Sequence, residues 1–346
     1  AALVANAFPL AGVRWGLFTS PHLCNVEERV RIDGQAISPT TFDAALSKIR
    51  SIDLGLTFYE VTFLAAMLIF AESGVERAVI ETGLGGRLDA TNILSARWSA
   101  ITSLGLEHTE LLGNTLTAIA REKAGIVRPQ TPLITGELPE EARKEVARIA
   151  TEKGAPWTVA DPGSVQLNRD GLLEIDGIQG TFQAPAIRGP GIRADLAISI
   201  ALYRAVLEKL DKQLDTVQLR SALKNLRLPA RVEVFPGLPT CCLDTAHTPE
   251  SIKSLRQTLE EIGFPQPRVL ILSLSTDKRR AEILAEAGGI ADEVIFTRPD
   301  ETRSVDPQEL RDTVGSAPTL EHPREAPEFS PQTGCKPVLA RTFILP

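Results

Sequence analysis

Apolar and polar positions follow two different periods along this chain. Short runs rich in β-branched and aromatic residues at 16–19, 77–81 and 99–103 stand among longer helix-like stretches, such as the apolar 57–73. The first kind predicts strands and the second helices, and their alternation predicts βαβ units: an α/β fold with a mostly parallel sheet flanked by helices. Segments 40–49 and 115–123 add helices, each opened by a threonine expected to cap it, and the apolar opening at 1–11 reads as part of a helix. Over 165–183 the pattern changes to short alternating strands, with Asp170-Gly171 as a hairpin turn.

Helical periodicity returns at 193–209 and 216–226, after which Leu228-Pro229-Ala230-Arg231 and the turn-prone string at 235–239 break it. A domain junction is expected there, dividing the chain into 1–226 and 227–346. The second part predicts a smaller α/β domain, with strands at 240–243, 268–274 and 293–297 and helices at 249–262 and 278–287. Five prolines over 318–337 predict a loop before a last strand at 337–345.

Composition narrows the function. Across 346 residues, 43% are apolar and 23% charged, which excludes a disordered or low-complexity chain. The net charge of -7 supplies no basic stripe for a phosphodiester backbone, so small-molecule chemistry is expected and a nucleic-acid partner is not. Four cysteines, with Cys241 and Cys242 adjacent, form neither a disulfide framework nor a zinc spacing, which points to a reducing compartment. No apolar run is long enough to cross a bilayer and no signal peptide opens the chain, so a cytoplasmic protein without a membrane partner is expected.

Three polar strings follow expected strands, where α/β sheets place their ligands. The first runs from Glu81 to Asn92 and contains Gly83-x-Gly85-Gly86; it lacks the third glycine of a dinucleotide fingerprint, and its glycines suit either a ligand close to the backbone or a ligand-free tight connection. The others are Thr19-Ser20-Pro21-His22 and Leu106-Glu107-His108-Thr109. Taken singly, each polar residue reads as a cap or turn residue. Taken together, Ser20, Glu81 and His108 are expected at one edge of one sheet, and one carboxylate with few protein donors suits a hard divalent ion completed by phosphate oxygens. Arg121 and Lys123 lie on the next helix, where the residues alone read as a solvated face.

These strings, with Glu28-Arg29-Val30-Arg31-Ile32-Asp33-Gly34 and Ile119-Ala120-Arg121-Glu122-Lys123-Ala124-Gly125-Ile126, resemble in order and spacing the folylpolyglutamate synthase/dihydrofolate synthase family of the Mur ligase superfamily. Leu228-Pro229-Ala230-Arg231 and Asp244-Thr245-Ala246-His247-Thr248-Pro249 continue the resemblance. It implies an ADP-forming ligase that adds L-glutamate to a folate or dihydropteroate carboxylate through an acyl phosphate, with ATP and Mg²⁺ as cofactors and a monomeric state. Residues 1–226 would be the ATP- and folate-binding domain and 227–346 the glutamate ligase domain. By the same resemblance Ser20, Glu81 and His108 hold Mg²⁺, and His108 and Lys123 serve catalysis, Lys123 in carbamylated form. Arg231, Asp244 and His247 meet the nucleotide, and Thr57, Phe58, Tyr59 and Glu60 with Leu88, Asp89 and Ala90 meet the pterin.

The chain also departs from the family pattern. The Gly-Lys-Gly-Ser/Thr phosphate loop that precedes the opening helix in the family is not found before Ala1, which leads to the expectation of impaired triphosphate binding. A usual His-Gln-x-x-Asn-Ala string has Gly191, Ile192 and Asp195 at its polar positions, Thr248 replaces the usual Asn after His247, and Ser275-Thr276-Asp277-Lys278 matches only in part. The alternative reading is a non-catalytic folate- or pterin-binding homologue with a degenerate nucleotide site. A cell-wall ligase of the Mur type is disfavoured by the strings at Ser20 and Glu81.

Overall fold

The computed structural model describes residues 1–7, 13–50, 55–237, 239–275, 279–298, 304–314 and 342–345. They form two compact units, Ala1–Pro185 with Arg193–Leu226, and Ala186–Ile192 with Arg227–Pro346. Parts of the expected opening helix, the 278–287 helix, the proline-rich loop and the last strand lie outside the described residues.

In the first unit a four-stranded sheet has the order β3-β2-β1-β4, built from β1 (Trp15–Phe18), β2 (Val30–Ile32), β3 (Gln35–Ala36) and β4 (Arg77–Ile80). β1 runs parallel to β4 with Phe18 opposite Ile80, and antiparallel to β2. Helix α1 (Ala2–Ala7) precedes this sheet, and α2 (Pro39–Arg50) and α3 (Phe58–Glu72) contribute to its core. α3 is apolar on almost every face, which suits a helix buried against neighbours. Its Phe63, Ala66, Ile69 and Phe70 close on Phe18 and Val30 from the sheet and Phe42 and Ala45 from α2. The fit is tight at Gly16, where an added Cβ would lie 2.8 Å from the Phe70 ring. The start of α2 differs from expectation: Ser38 Oγ accepts from Thr41 N at 3.1 Å, so serine rather than Thr40 caps the helix, with Pro39 taking the first turn.

A second sheet, β5 (Ser99–Ile101), β6 (Leu133–Thr135) and β7 (Trp157–Val159), is wholly parallel. It packs with α4 (Thr109–Leu112), α5 (Leu116–Lys123) and α6 (Glu140–Glu152) through Leu112, Ile119, Ala120, Leu133, Ala142 and Val146. Thr115 Oγ1 caps α5 by accepting from Ala118 N. The β8 (Val165–Leu167), β9 (Leu173–Ile175) and β10 (Ile178–Phe182) strands form the antiparallel excursion, with Gly171 at φ +71° in the hairpin. Helices α7 (Gly189–Lys209) and α8 (Thr216–Asn225) follow. α7 starts earlier than its periodicity predicted because Gly189 adopts φ +74° and packs against Thr258, where an added Cβ would lie 1.8 Å from Oγ1.

The second unit carries a sheet of order β11-β12-β15-β13-β14, from β11 (Glu233–Phe235), β12 (Cys241–Asp244), β13 (Val269–Leu272), β14 (Glu293–Phe296) and β15 (Thr342–Leu345). Its one parallel pairing is β13 with β14. The turn-prone 235–239 string lies inside this unit, joining the antiparallel pair β11 and β12. Helices α9 (Pro249–Glu261), α10 (Arg280–Ala287) and α11 (Pro307–Val314) bury Ile252, Leu255, Ile283 and Leu310 with Leu270, Leu272 and Phe296. Arg268, only 5% exposed, is satisfied by carbonyls: its Nη2 donates to Phe264 O at 2.7 Å and its Nε to Pro265 O at 3.1 Å.

Candidate active site

Ser20 and Glu81 leave the carboxyl ends of two strands that pair in parallel, and Glu81 N continues that ladder by donating to Phe18 O at 2.9 Å. The segment after β1 is ordered by Glu28, whose carboxylate accepts from Leu23 N, Cys24 N and Asn25 N at 2.9, 3.0 and 2.8 Å. Partial burial pushes this carboxyl up, but the three amide donors outweigh it and hold it below the usual carboxylate range. His22 Nδ1 accepts from Arg29 Nε at 2.9 Å, and burial followed by the Arg29 charge keeps the imidazole below its ordinary pKa, hence neutral at pH 7. Arg29 is itself buried, with its guanidinium carbon 5.2 Å from the centre of the Phe58 ring. In the sequence, Glu28 and Arg29 stand out only as part of a motif. The short spacing Leu23 to Glu28, which suits a carboxylate folding back on its own loop, is the signal that finds the first.

The glycine-rich loop after β4 is organised by Asp89. One carboxylate oxygen accepts from Gly83 N and Leu84 N at 2.9 Å each, and the other accepts from Thr91 N at 2.9 Å and Thr91 Oγ1 at 2.6 Å. The Tyr59 hydroxyl donates to Glu81 O at 3.2 Å and approaches the same Asp89 carboxylate. Burial, then the Asp89 and Glu81 carboxylates, push the Tyr59 phenol upward, so it remains a donor. The glycines are used by the protein itself: added Cβ atoms would lie 2.5 Å from the Tyr59 ring at Gly83 and 2.8 Å from Lys123 O at Gly86.

Thr57 and Glu60 are occupied by the cap of α3. Thr57 Oγ1 accepts from Glu60 N, while the Glu60 carboxylate accepts from Thr57 N at 2.8 Å and from the Thr57 hydroxyl at 2.7 Å. Their side chains therefore shape the start of the helix. Phe58, 61% exposed, and Leu88, 78% exposed, present large apolar surfaces beside Tyr59 and Asp89. Ala90 begins the short helical turn Ala90–Ile93 that Asp89 caps.

His108 follows β5, which belongs to a different sheet from β1 and β4, so the expected common sheet edge is two sheet edges within one unit. It adopts the left-handed region at φ 51°, and its side chain makes no capping bond to α4. Lys123 ends α5. Its neighbours are anchored, Arg121 Nε to Glu145 Oε1 at 2.8 Å and Arg87 Nε to Glu122 Oε1 at 2.9 Å. Among the described residues no group of three or more His, Cys, Asp or Glu side chains gathers as a metal cage.

In the second unit, Asp244 ends β12 and is buried. Its carboxylate accepts from Val232 N at 2.8 Å and Ala246 N at 2.7 Å. Burial raises its pKa, opposed by these amides and by the Arg231 charge. Arg231 is exposed between Ala230 at φ 53° and Val232 at φ 47°, two left-handed residues without a glycine's freedom. His247 Nδ1 lies 2.8 Å from Thr245 O, and Thr248 caps α9 together with Ser251. The Thr245 hydroxyl is buried with no hydrogen-bond partner. Asp244 therefore holds the backbone just after Arg231, and Glu233 holds it just before, accepting from Ala230 N at 2.8 Å.

Comparison with known proteins agrees with this architecture. Residues 230–331 match the family described as Mur ligase, glutamate ligase domain. A dihydrofolate synthase/folylpolyglutamate synthase from Buchnera aphidicola subsp. Acyrthosiphon pisum is 30% identical over 309 residues, covering 87% of this chain and 72% of the relative. A Mycobacterium tuberculosis folylpolyglutamate synthase, solved with ADP and AMPPCP, superimposes with a TM-score of 0.85 at 28% identity, over 94% of this chain and 79% of the other. A bifunctional folylpolyglutamate synthase/dihydrofolate synthase from Yersinia pestis, solved with AMPPNP and a Mn ion, gives 0.78 at 29% identity, over 93% and 76%. The protein is a Mur-type ligase by fold. Within that class, the chain belongs to the dihydrofolate synthase/folylpolyglutamate synthase family.

Proposed function

We propose that this chain uses ATP to join the amino group of L-glutamate to the carboxylate of a folate or dihydropteroate. The carboxylate takes the terminal phosphoryl group and ADP leaves; the glutamate amine then attacks the acyl carbon, phosphate departs and the amine loses a proton. The observation that carries the reading is the parallel pairing of β1 with β4, which sets the Ser20 hydroxyl and the Glu81 carboxylate on adjacent strand ends in a chain of this family.

A hydroxyl and a carboxylate are hard oxygen donors, and few protein ligands suit Mg²⁺, which keeps water and phosphate oxygens in its remaining positions. Ser20 and Glu81, with His108, are the residues proposed to hold it. The ion would screen phosphate charge during phosphoryl transfer. Lys123, proposed to carry a carbamate, offers a carboxylate-like oxygen instead of a repelling ammonium. Tyr59, Phe58 and Leu88 supply apolar and hydrogen-bonding surface for the pterin, while Thr57, Glu60, Asp89 and Ala90 fix the backbone beside it. Arg231, Asp244 and His247 are assigned to the nucleotide, and the unpartnered Thr245 hydroxyl between them fits a ligand that brings its own hydrogen-bonding group.

On this reading residues 1–226 bind ATP and folate, and residues 227–346 form the glutamate ligase domain. The protein is taken to be a cytoplasmic monomer acting on small molecules, with neither nucleic acid nor membrane as partner. The net charge of -7 disfavours a nucleic-acid partner, and no helix among the described residues is long and apolar enough to cross a membrane.

The test is ADP formation by the purified protein with Mg²⁺, dihydropteroate or tetrahydrofolate, and L-glutamate. Turnover that needs both organic substrates is expected. Glu81→Ala should abolish it more completely than Ser20→Ala across a Mg²⁺ titration, because a carboxylate supplies charge as well as geometry whereas water can replace a hydroxyl. Pterin binding without glutamate-dependent ADP formation would instead establish the non-catalytic homologue.

A further inference from the structure

We propose that Arg87 and Glu122 are positioning residues that tie the substrate-side loop Leu88–Ala90 to Lys123. This inference rests on the ligase reading above and extends it to two residues outside the metal, nucleotide and pterin sets.

Two kinds of contact join the pair. The backbone link comes first: Arg87 N donates to Glu122 O at 2.7 Å, and the loop lies so close that a Cβ on Gly86 would fall 2.8 Å from Lys123 O and 2.9 Å from Glu122 O. The approach is matched from the other side, since a Cβ on Gly125 would fall 2.4 Å from Arg87 Cα. Asn92 Nδ2 adds a further tie, donating to Arg87 O at 2.9 Å and Gly125 O at 3.3 Å. The side-chain link comes second: Arg87 Nε donates to Glu122 Oε1 at 2.9 Å, with Glu122 only 19% exposed and Arg87 53% exposed.

The pair's sequence position gives it a role. Arg87 directly precedes Leu88, and Glu122 directly precedes Lys123. On the other side of Glu122, Arg121 is held by Glu145 of α6 at 2.8 Å. Lys123 is thus a side chain without an ion-pair partner among the described residues, next to one residue anchored to α6 and one anchored to the loop. A substrate pressing on Leu88–Ala90 moves Arg87, and Arg87 transmits the displacement to the turn that aims Lys123. An ion pair with its arginine 53% exposed contributes little to folding stability, so a purely structural role predicts a small change in kinetics that follows any change in the thermal midpoint. A positioning role predicts a loss of turnover, because small misplacements of a reacting group are costly.

Arg87→Met breaks the side-chain pair while leaving the Asp89 hydrogen bonds that shape the loop. The expected result is a fall in kcat of about tenfold or more, with the KM for dihydropteroate and the thermal midpoint close to those of the unmodified protein. Glu122→Ala should reproduce the same split, and the swap Arg87→Glu with Glu122→Arg should recover part of the loss. A rise in KM at unchanged kcat, a loss tracking a lowered thermal midpoint, or unchanged kinetics in an active background would overturn the pair's role alone. An unmodified protein with no glutamate-dependent ADP formation would overturn the ligase reading and this role with it.

Discussion

Tyr59 occupies the space that a side chain on Gly83 would need: a Cβ built there lies 2.5 Å from the ring's Cζ. Neither partner is free to retreat. Gly83 N is bonded to Asp89 and the Tyr59 hydroxyl to Glu81 O, so the ring, the loop and the end of β4 form one packed unit. Gly83→Ala should therefore destabilise the first unit by about 1–3 kcal/mol, the usual cost of overpacking, and weaken pterin binding by displacing Tyr59. Urea unfolding and a fluorescence titration with dihydropteroate check both. The double variant with Tyr59→Leu, whose side chain is smaller, should regain stability without regaining affinity; equal stability of Gly83→Ala and the unmodified protein would show that the loop moves aside freely.

Glu145 links α5 to α6 from a buried position. Hydrogen bonds from Arg148 and then Arg121 hold its carboxyl down to about 2, from an ordinary value of 4.5. The folded-state value is depressed, so the unfolded chain takes up the proton first as pH falls. The stabilisation is fully present above pH 4.5 and is lost as pH falls from 4.5 towards 2. Unfolding free energies of the unmodified protein and Glu145→Gln should differ most near neutral pH and converge across that window. A difference that stays constant down to pH 2 would mean that the carboxyl protonates with no link to folding.

What the sequence made legible was the order of elements that carry strong local signals. The apolar α3, the Thr115 cap of α5 and the Asp170-Gly171 hairpin are readable because apolar run, cap and turn are local; the Thr57 and Glu60 capping box is equally local, yet the resemblance assigns both residues only to the pterin. The β6, α6 and β7 run carries a weaker local signal: β6 and β7 have three residues each, and Leu133 to Thr135 make a strand only because both neighbours pair with them. The candidate site was legible as residue types after strands, whereas its wiring was not. Asp89 spends its carboxylate on four donors no more than 6 positions away, which shows only once the loop has folded back on itself, whereas Gly86 and Gly125 bring Arg87 against Glu122, 35 positions on. The placement of His108 on a second sheet is of the same kind, since nothing local distinguishes a strand that joins β1 from one that does not.

Asp244 presents the opposite electrostatic case to Glu145 and yields the last prediction. Burial is the largest influence on its carboxyl and raises its pKa above the ordinary 3.8, despite bonds from Val232 N and Ala246 N. A raised acid is more readily protonated folded than unfolded, so its contribution to stability is fullest at low pH and declines as pH rises through the folded value. Replacing it by asparagine removes that pH dependence but does not preserve the geometry. One oxygen remains to accept, and the amide must turn its NH₂ towards either Val232 N or Ala246 N, setting donor against donor. Loss of that buried bond costs about 1–3 kcal/mol. The Val232 bond, together with that from Ala230 N to Glu233, also opposes relaxation of the left-handed pair Ala230 and Val232 around Arg231. Asp244→Asn should therefore lower the unfolding free energy of the second unit at neutral pH and weaken ADP binding, measured by calorimetry, more than Arg231→Lys does. Wild-type ADP affinity in Asp244→Asn would show that Arg231 keeps its place without the carboxylate, and would remove the turn from the nucleotide site.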